Sequence, residues 1–288
     1  MFEEVSSGNP MAERAIHILP EQIASQIAAG EVVERPASAV KELVENALDA
    51  GARSISVVLE RGGSGLIAVT DDGCGMSRED AILSLRRHAT SKIRAADDLN
   101  SIRTFGFRGE ALAAIASVAR MTLRTRRPQD EAGIELIING GEIESAGACA
   151  IAPGTAIEIR ELFFNTPARL KFLKTATTEQ AAIAETIQRL ALANPPIAFN
   201  VNANERTVLA ITRATSALER TRQLLGSKLA TQMLQFDTHE HGMRAWGLCA
   251  TSQESFAGAR MIFTFVNRRV VRDRMLARAI ATAYQTLI

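Results

Sequence analysis

The segment from Pro36 to Gly51 constrains this chain most, because it predicts a helix with both ends marked and an unusual polar face. Proline suits the first helical position, and glycine suits the position just after the last turn. Glu42, Asn46 and Asp49 lie at i, i+4 and i+7, opposite an apolar stripe. Most such polar faces are solvated surface, and that interpretation stays open. A bound cation would offset the low helix propensity of asparagine and the unfavourable helix dipole at Asp49.

A second motif follows at the end of a predicted hairpin. Alternating apolar residues predict two strands over residues 54–70, and the second runs into Asp71-Asp72-Gly73-Cys74-Gly75-Met76. A carboxylate beside glycines can accept a hydrogen bond from an exocyclic amine, and a flat ring can approach a backbone that lacks Cβ atoms. The same composition is typical of an ordinary turn, and from the residues alone a turn is the preferred interpretation.

A third motif is the glycine-bracketed loop Gly106-Phe107-Arg108-Gly109-Glu110-Ala111-Leu112, which leads into a segment of helical periodicity. Backbone N–H groups that open a helix after glycines form a site for anions. A Walker-type phosphate loop is not present in the sequence, because Gly226-Ser227-Lys228 lacks the required spacing and the preceding glycine. Any phosphates would therefore be held by the loop at residues 106–109.

In this order and spacing, the three motifs resemble those of the ATPase superfamily shared by gyrase-type topoisomerases, heat-shock chaperones, sensor histidine kinases and MutL mismatch repair proteins. Three longer stretches are similar to the MutL branch in particular. They are Ile27 to Pro36 (IAAGEVVERP), Arg87 to Ile93 (RHATSKI) and Asn165 to Leu173 (NTPARLKFL). The resemblance extends from about Ile16 to the last residue, so the MutL family is the expected assignment.

The resemblance implies an α/β (α+β) fold, in which a mixed, mostly antiparallel sheet with helices on one face forms a two-layer sandwich. A second, smaller α/β domain follows. We expect a disordered leader at residues 1–15, a nucleotide-binding ATPase domain at 16–212 and a basic second domain at 213–288. Family members continue further, with a lysine that reaches the γ-phosphate and a C-terminal dimerisation domain, so the second domain is expected to be truncated.

Residue roles are carried over from the family onto the matching positions. Glu42 is expected to be the general base that activates the attacking water, and Asn46 the ligand of Mg²⁺. Asp71 is expected to accept from the adenine amino group, supported by Thr155. Other expected nucleotide contacts are Asp49, Gly73, Gly75, Met76, Thr90, Ser91, Lys92, Gly106, Phe107, Arg108, Gly109, Glu110, Ala111 and Leu112. The expected cofactors are thus ATP and Mg²⁺, although Glu45 and Phe107 could be surface and packing residues.

Local signals predict several further elements. Ser77 is a predicted helix N-cap for residues 78–87, and Asn139-Gly140-Gly141 is a predicted hairpin turn. Thr155 to Phe164 predicts a strand, and Thr90 to Gly109 predicts a long mobile segment that would be the lid over the nucleotide. One turn departs from the family, because Arg268 follows Asn267 where a glycine is usual. Either the turn type differs or Arg268 takes a strained backbone conformation.

Charge is distributed unevenly along the chain, although the net charge is only +1. Residues 213–288 hold 11 Lys and Arg against 5 Asp and Glu, a balance of +6, which leaves −5 for residues 1–212. The densest basic run is Arg268, Arg269, Arg272, Arg274 and Arg278. These arginines could be an ordinary exposed helix face, or a surface that binds double- or single-stranded DNA through its phosphates, without sequence preference.

Partners are also implied by the resemblance: a homodimer on ATP binding, the mismatch-recognition protein MutS, and a downstream repair endonuclease and helicase. Three scattered cysteines without metal-type spacing fit a cytoplasmic location, and no apolar run is long enough to span a membrane. Two function classes stay open: a slow ATPase that drives dimerisation and lid closure, and a nucleotide-binding module without useful turnover. A topoisomerase-like ATPase domain is the alternative within the superfamily.

Overall fold

The computed structural model describes residues 27, 29–30, 32–93, 104–106, 109–251 and 261–285. Its largest element is an eight-stranded sheet with the order β5-β4-β3-β6-β2-β1-β7-β8. The strands are β1 (Ser54–Glu60), β2 (Leu66–Asp71), β3 (Arg120–Arg126), β4 (Gly133–Asn139), β5 (Glu142–Cys149), β6 (Gly154–Arg160), β7 (Ala198–Ala203) and β8 (Arg206–Ile211). Strands β1 and β7 pair in parallel, and the other neighbours pair antiparallel. The mixed, mostly antiparallel sheet is therefore confirmed.

Helices cover one face of this sheet, as the resemblance implied. The helices of this part of the chain are α1 (Pro36–Asp49), α2 (Arg78–Leu83), α3 (Ala111–Ser117), α4 (Pro167–Phe172), which has no buried residue, and α5 (Ala176–Ala193). Buried positions alternate with more exposed ones along β1, β3 and β6, so the strands have one core face. The apolar stripe of α1, which includes Val40 and Val44, packs with Ile183 and Ile187 of α5 and with the sheet. Each such side chain contributes roughly 1.5–3 kcal/mol to stability.

Helix α1 begins and ends where the sequence predicts. Pro36 occupies the first turn, and Gly51 follows the helix with a φ of +75°, the left-handed conformation typical of a residue just after a helix. Ser77 caps α2 by accepting from the Asp80 amide at 3.0 Å, but α2 ends at Leu83, earlier than the predicted Arg87. Both ends of α1 are thus set by local backbone chemistry.

Two further predictions concern strand ends. The hairpin at Asn139-Gly140-Gly141 is confirmed, with both glycines at positive φ between β4 and β5. The predicted strand from Thr155 to Phe164 is too long, because β6 ends at Arg160. Glu161 and Phe163 have φ of +50° and +72°, which turn the chain away from the sheet and bury Phe163 completely. Burial of this aromatic ring overrides the strand propensity of the segment.

The chain after β8 forms a smaller α/β unit. Its elements are α6 (Ala217–Leu225), α7 (Ser227–Thr231), β9 (Met233–Glu240), β10 (Met243–Ala250), β11 (Thr264–Val266), β12 (Arg269–Val271) and α8 (Arg274–Gln285). Strands β9 and β10 form one antiparallel pair, and β11 and β12 form another. The fully buried Arg220 of α6 donates to the carbonyls of Pro195 and Ile197 at 2.6 and 2.5 Å. No helix in the described ranges is long and apolar enough to cross a membrane.

Candidate functional site

The helix motif and the glycine loop meet in space, beside Lys92. The cluster is tightly packed around Gly106, because a Cβ atom there would lie 3.1 Å from Lys92 Nζ and 3.5 Å from Asn46 Oδ1. The same Cβ atom would lie 3.8 Å from Asp49 Oδ2. Residues 46, 92 and 106 are far apart in sequence, so only the fold explains why they form one cluster.

Asp49 is the centre of this cluster. Its carboxylate accepts from the Phe105 amide at 2.8 Å and from the Gly106 amide at 3.0 Å. Lys92 Nζ donates to Asp49 Oδ2 at 2.6 Å and to Asn46 Oδ1 at 3.0 Å. The Asp49 side chain is only 6% exposed, so these charge-assisted bonds are shielded from water. They offset the cost of a carboxylate near the C-terminus of α1.

The oxygen atoms of Asn46 and Asp49 suit a hard cation. They already hold one positive charge, the Lys92 ammonium. Among the described residues no group of three or more His, Cys, Asp or Glu side chains is placed to hold a metal. Mg²⁺ does not need such a group, because it keeps several waters and takes substrate phosphates as ligands beside one or two protein oxygens. The donors present therefore fit Mg²⁺ that arrives with a phosphate-bearing ligand.

Glu42 lies on the same helix face and is paired with a lysine. Lys41 Nζ donates to Glu42 Oε1 at 3.0 Å and to Glu45 Oε2 at 2.9 Å. The side chain of Glu42 is 25% exposed, whereas that of Glu45 is 10% exposed. Burial raises the pKa of Glu45, and the Lys41 charge acts in the opposite direction. The interpretation of Glu45 as a surface residue is therefore wrong.

Asp71 and Thr155 lie side by side on neighbouring strands, β2 and β6. Asp71 Oδ1 accepts from the Gly73 amide at 2.8 Å, and the Asp71 carboxyl also accepts from the Thr155 backbone. Burial raises the pKa of Asp71 to about 6, and the charge of Asp72 adds to this shift. The two backbone amides only partly oppose the shift. The pKa of Asp71 is thus closer to neutral pH than that of an ordinary aspartate.

The acids and glycines of the second motif divide into separate roles. Asp72 Oδ1 accepts from the Arg53 and Ser54 amides at 2.6 and 2.9 Å, so this acid is structural. A Cβ atom at Gly73 would lie 2.8 Å from Asp71 Oδ1, and one at Gly75 would lie 2.0 Å from the Arg126 carbonyl oxygen. These clashes are with the protein itself. The turn interpretation is therefore correct for the backbone, and the role of the glycines in admitting a flat ring stays a prediction.

Thr125 of β3 belongs to this site but has no sequence motif. It is fully buried, and its Oγ1 accepts from the Met76 amide at 2.9 Å. The same atom lies 3.0 Å from Thr155 Oγ1 and donates to the Gly154 carbonyl at 3.0 Å. It therefore ties the glycine turn to β6. Only the pairing of Thr125 with Thr155 in the sheet places it here, and a single sequence does not show that register.

The remaining predicted contacts lie around the third motif. Gly109 has a φ of +63°, and a Cβ atom there would lie 2.4 Å from the Ala89 carbonyl oxygen. His88 Nδ1 lies 3.4 Å from Glu110 Oε1, and Ala111 and Leu112 begin α3. Thr90 Oγ1 accepts from the Lys92 amide at 3.2 Å, and Ser91 is exposed. Phe107, Arg108 and residues 94–103 lie outside the described residues, so the lid is described only at its two ends.

The five predicted DNA-binding arginines do not form one uniform open surface. Arg268 donates to Asn194 Oδ1, Arg269 donates to the Thr104 carbonyl at 2.5 Å, and Arg272 contacts Glu185 at 2.8 Å. Arg274 and Arg278 are exposed on α8, which Asp273 caps through the Leu276 amide at 2.8 Å. The geometry therefore favours Arg274 and Arg278 as phosphate contacts, and the DNA role stays a prediction.

Two family models match the chain. One is described as a histidine kinase-, DNA gyrase B- and HSP90-like ATPase and matches residues 34–163. The other is described as the C-terminal domain of a DNA mismatch repair protein and matches residues 221–288. The first match includes strands β1 to β6 of the large sheet, and the second includes most of the smaller unit.

Similar proteins and structures agree with these matches. The DNA mismatch repair protein MutL of Syntrophotalea carbinolica is 53% identical over 95% of this chain and 44% of its own length. That of Geobacter sulfurreducens is 49% identical over 95% and 45%. The Aquifex aeolicus MutL ATPase domain complexed with ADP has a TM-score of 0.67 and 28% identity, over 87% of this chain and 88% of that one. The N-terminal domain of a DNA repair protein has a TM-score of 0.76 and 25% identity, over 92% and 82%. This chain thus spans less than half the length of the curated relatives.

Proposed function

We propose that this chain, which belongs to the MutL family of DNA mismatch repair proteins, binds ATP with Mg²⁺ and hydrolyses it slowly. The observation that carries the proposal is the cluster of Asn46, Asp49, Lys92 and Gly106, in which the helix motif and the glycine loop meet. The ADP complex of the similar Aquifex aeolicus ATPase domain supports the same ligand class. The MutL relatives also favour this function over a topoisomerase-like ATPase.

Adenine recognition is assigned to the row of Asp71, Thr155 and Thr125. The Asp71 carboxylate would accept from the exocyclic amino group of adenine, because it is partly buried and already fixed by two backbone amides. Thr155 and Thr125 hold the carboxylate and the glycine turn in place. A fixed, partly desolvated acceptor gives selectivity, because a base without the matching donor leaves it unpaired. Met76, Gly73 and Gly75 complete the wall of this subsite.

Phosphate binding is assigned to the other end of the site. The loop at residues 106–109, with Arg108, would face the phosphates, and Thr90, Ser91 and Lys92 would belong to the lid. Asn46 would hold Mg²⁺, which supplies charge neutralisation at the phosphates when bound. Asn46 Oδ1 accepts from Lys92, and the second lone pair of this amide oxygen would be available to a metal. The Lys92 ammonium would add positive charge beside the same phosphates.

Glu42 is the residue proposed to act on the attacking water. It lies one helical turn before Asn46 on α1, so its carboxylate would be on the same helix face as the residue that would hold Mg²⁺. Its carboxylate must exchange the Lys41 contact for that water. In phosphoryl transfer to water, positioning and charge neutralisation supply most of the rate enhancement. A slow turnover is expected where the base begins in an ion pair.

A steady-state ATP hydrolysis assay beside a binding titration tests the proposal. Binding with slow turnover supports the ATPase, whereas binding without turnover supports the alternative of a nucleotide-binding module. Absence of ATP binding would contradict both. We further propose a homodimer that forms on ATP binding through the segment near Ile16 to Glu31, and contacts with MutS and with a repair endonuclease and helicase. The free thiols of Cys74, Cys149 and Cys249 support a cytoplasmic location.

Hydrogen exchange should report closure of the lid. We expect a non-hydrolysable ATP analogue with Mg²⁺ to increase protection across residues 90–109, because bound phosphates would attract the loop and the lid residues. Without nucleotide, the Phe105 and Gly106 amides should already be protected by Asp49. Asp49→Asn is the control for these two amides, because it weakens both bonds and should lower their protection in the nucleotide-free chain. Equal protection of residues 90–109 with and without the analogue would remove the switch from the proposal.

DNA binding should depend on the exposed end of the basic surface. Reversing Arg274 and Arg278 to glutamate should weaken binding about equally for unrelated sequences and reduce the slope of log affinity against log salt by about 2. Reversing Arg206 and Arg222, which are also exposed, makes the same change in net charge and is the matched control. DNA titrations at several salt concentrations measure the affinity and the salt slope of each variant. Loss of binding on changing Arg124 and Arg127 instead would place the surface on the first domain.

A further inference from the structure

The end of the lid segment, Thr104 to Gly106, lies between the two units of the chain. On one side Asp49 of α1 accepts from the Phe105 and Gly106 amides at 2.8 and 3.0 Å. On the other side Arg269 Nη2 donates to the Thr104 carbonyl at 2.5 Å, and the Arg268 guanidinium lies 5.9 Å from the centre of the Phe105 ring. The same three residues therefore contact the nucleotide helix and the β11–β12 hairpin at once.

Arg268 occupies an unusual backbone position for these contacts. Val266 pairs with Arg269, so the hairpin turn consists of Asn267 and Arg268. Their φ angles are +49° and +68°, as in a type I′ turn, where glycine is favoured at the second position. The alternative of a strained Arg268 is thus confirmed. A strained residue persists when its surroundings compensate for it, and such residues are concentrated where their position matters for function.

The compensation comes from side-chain contacts with the first domain. Arg268 donates to Oδ1 of Asn194, a fully buried residue at the end of α5. The orientation of the Asn194 amide is fixed, because its Nδ2 donates to the Leu190 carbonyl at 2.7 Å. One guanidinium therefore joins a rigid helix end to the Phe105 ring. A glycine at this position could form the turn but could not make either contact.

We propose that Arg268 and Arg269 are positioning residues that hold Thr104 to Gly106 in register with Asp49 from the second domain. Through them, a shift of the β11–β12 hairpin changes the geometry of the Phe105 and Gly106 amides. The two arginines therefore couple the second domain to the nucleotide site. Only the link to ATP rests on the proposed function, because the contacts themselves exist without nucleotide.

Arg268→Gly is the decisive variant, since glycine tolerates the positive φ and removes only the side chain. Exchange of the Phe105 and Gly106 amides in the nucleotide-free chain, followed by NMR, should become roughly 5- to 30-fold faster. Exchange in β11 and β12 should stay unchanged. Asn267→Gly is the matched control, because it alters the same turn and leaves the Arg268 side chain, and it should not affect the two amides. Unchanged exchange in Arg268→Gly, or equal acceleration throughout the core strands, would overturn the proposal.

Arg269 is tested by rescue. Arg269→Ala should accelerate the same two amides, and Arg269→Lys should restore most of the protection because its ammonium can still donate to the Thr104 carbonyl. Equal exchange in both variants would contradict the positioning role of that bond. In ATP hydrolysis, Arg268→Gly should raise KM with kcat unchanged, because Glu42 is untouched. If the unaltered chain binds no ATP, the proposed function fails while the exchange result still decides the inference.

Discussion

Glu42→Ala should lower ATP turnover by about 10²- to 10⁴-fold, the usual contribution of a general base, and should leave ATP binding nearly unchanged. The reason is that the described hydrogen-bond partner of the Glu42 side chain is Lys41, at 3.0 Å, and not Asn46 or Asp71. Removing it therefore affects the water and not the proposed nucleotide contacts. Steady-state hydrolysis gives the turnover, and a titration with a non-hydrolysable analogue gives the affinity.

Two further variants of α1 make this experiment specific. Glu42→Gln keeps the length and the contact with Lys41 but cannot take a proton, so it should be nearly as slow as Glu42→Ala. Glu45→Gln changes the other acid that pairs with Lys41 and should retain turnover within a few fold, because Glu45 is buried and its contact is with the lysine. A drop of less than about tenfold in Glu42→Ala would show that the base has been assigned to the wrong residue.

Local chemistry made the helix motif readable from the sequence. The periodicity of α1, proline at its start and glycine after its end are all properties of neighbouring residues, so its bounds and its polar face could be predicted. The partners of that face could not. Asp49 binds amides from residues 105 and 106, and Asn46 accepts from Lys92, contacts that depend on how the lid ends return to the helix. The motif family suggested a shared site, but not which atoms meet.

Burial and strand register explain most of the other differences between the site predicted from the sequence and the site in the structure. Glu45 is on the polar arc of α1, yet Lys41 and the neighbouring core enclose it, which a helical periodicity does not show. Thr125 joins the site only because β3 and β6 pair with Thr125 opposite Thr155. Register between strands that are distant in sequence is set by the whole core. Sequence patterns therefore find the acids and glycines of such a site better than the hydroxyls that support them.

In the basic region, the number of arginines in the sequence does not show which of them bind other parts of the chain. Counting arginines predicted one surface, whereas the structure divides it between contacts within the chain and exposed side chains. Arg268 could be flagged from the turn, because a bulky residue stands where glycine is favoured. Its partners, Asn194 and Phe105, come from the first domain and could not be foreseen. A charge excess thus indicates an interaction, and only the fold decides whether its partner is DNA or the protein itself.

Asp71→Asn should weaken ATP binding by about 10- to 100-fold, the value of a hydrogen bond to a charged group. The Asp71 carboxyl has two oxygens and accepts from the Gly73 and Thr155 backbones. An asparagine offers one acceptor oxygen, which those amides would use, so nothing is left for the adenine amino group. Asp72→Asn is the matched control, because Asp72 uses only Oδ1 for both of its amides and an asparagine can keep them.

The affinity for ATP should also depend on pH through Asp71. Its pKa is raised from 3.8 to about 6, so the carboxyl becomes protonated as the pH falls through that value and loses its charge as an acceptor. ATP binding should therefore weaken between about pH 7 and pH 5. Phosphates titrate in the same range, so the difference between the unaltered chain and Asp71→Asn isolates the carboxyl.

Stability of the nucleotide-free chain should show the opposite trend in this range. Because the folded pKa of Asp71 lies above its ordinary value, the folded state holds more protons than the unfolded state between about pH 4 and pH 6. The free energy of unfolding should thus fall as the pH rises through that window, by about 2–3 kcal/mol from this group. Denaturant unfolding of the unaltered chain and Asp71→Asn measures the difference. A parallel pH dependence in the two proteins, for both binding and unfolding, would show that Asp71 is not the titrating acid and would move adenine recognition to another residue.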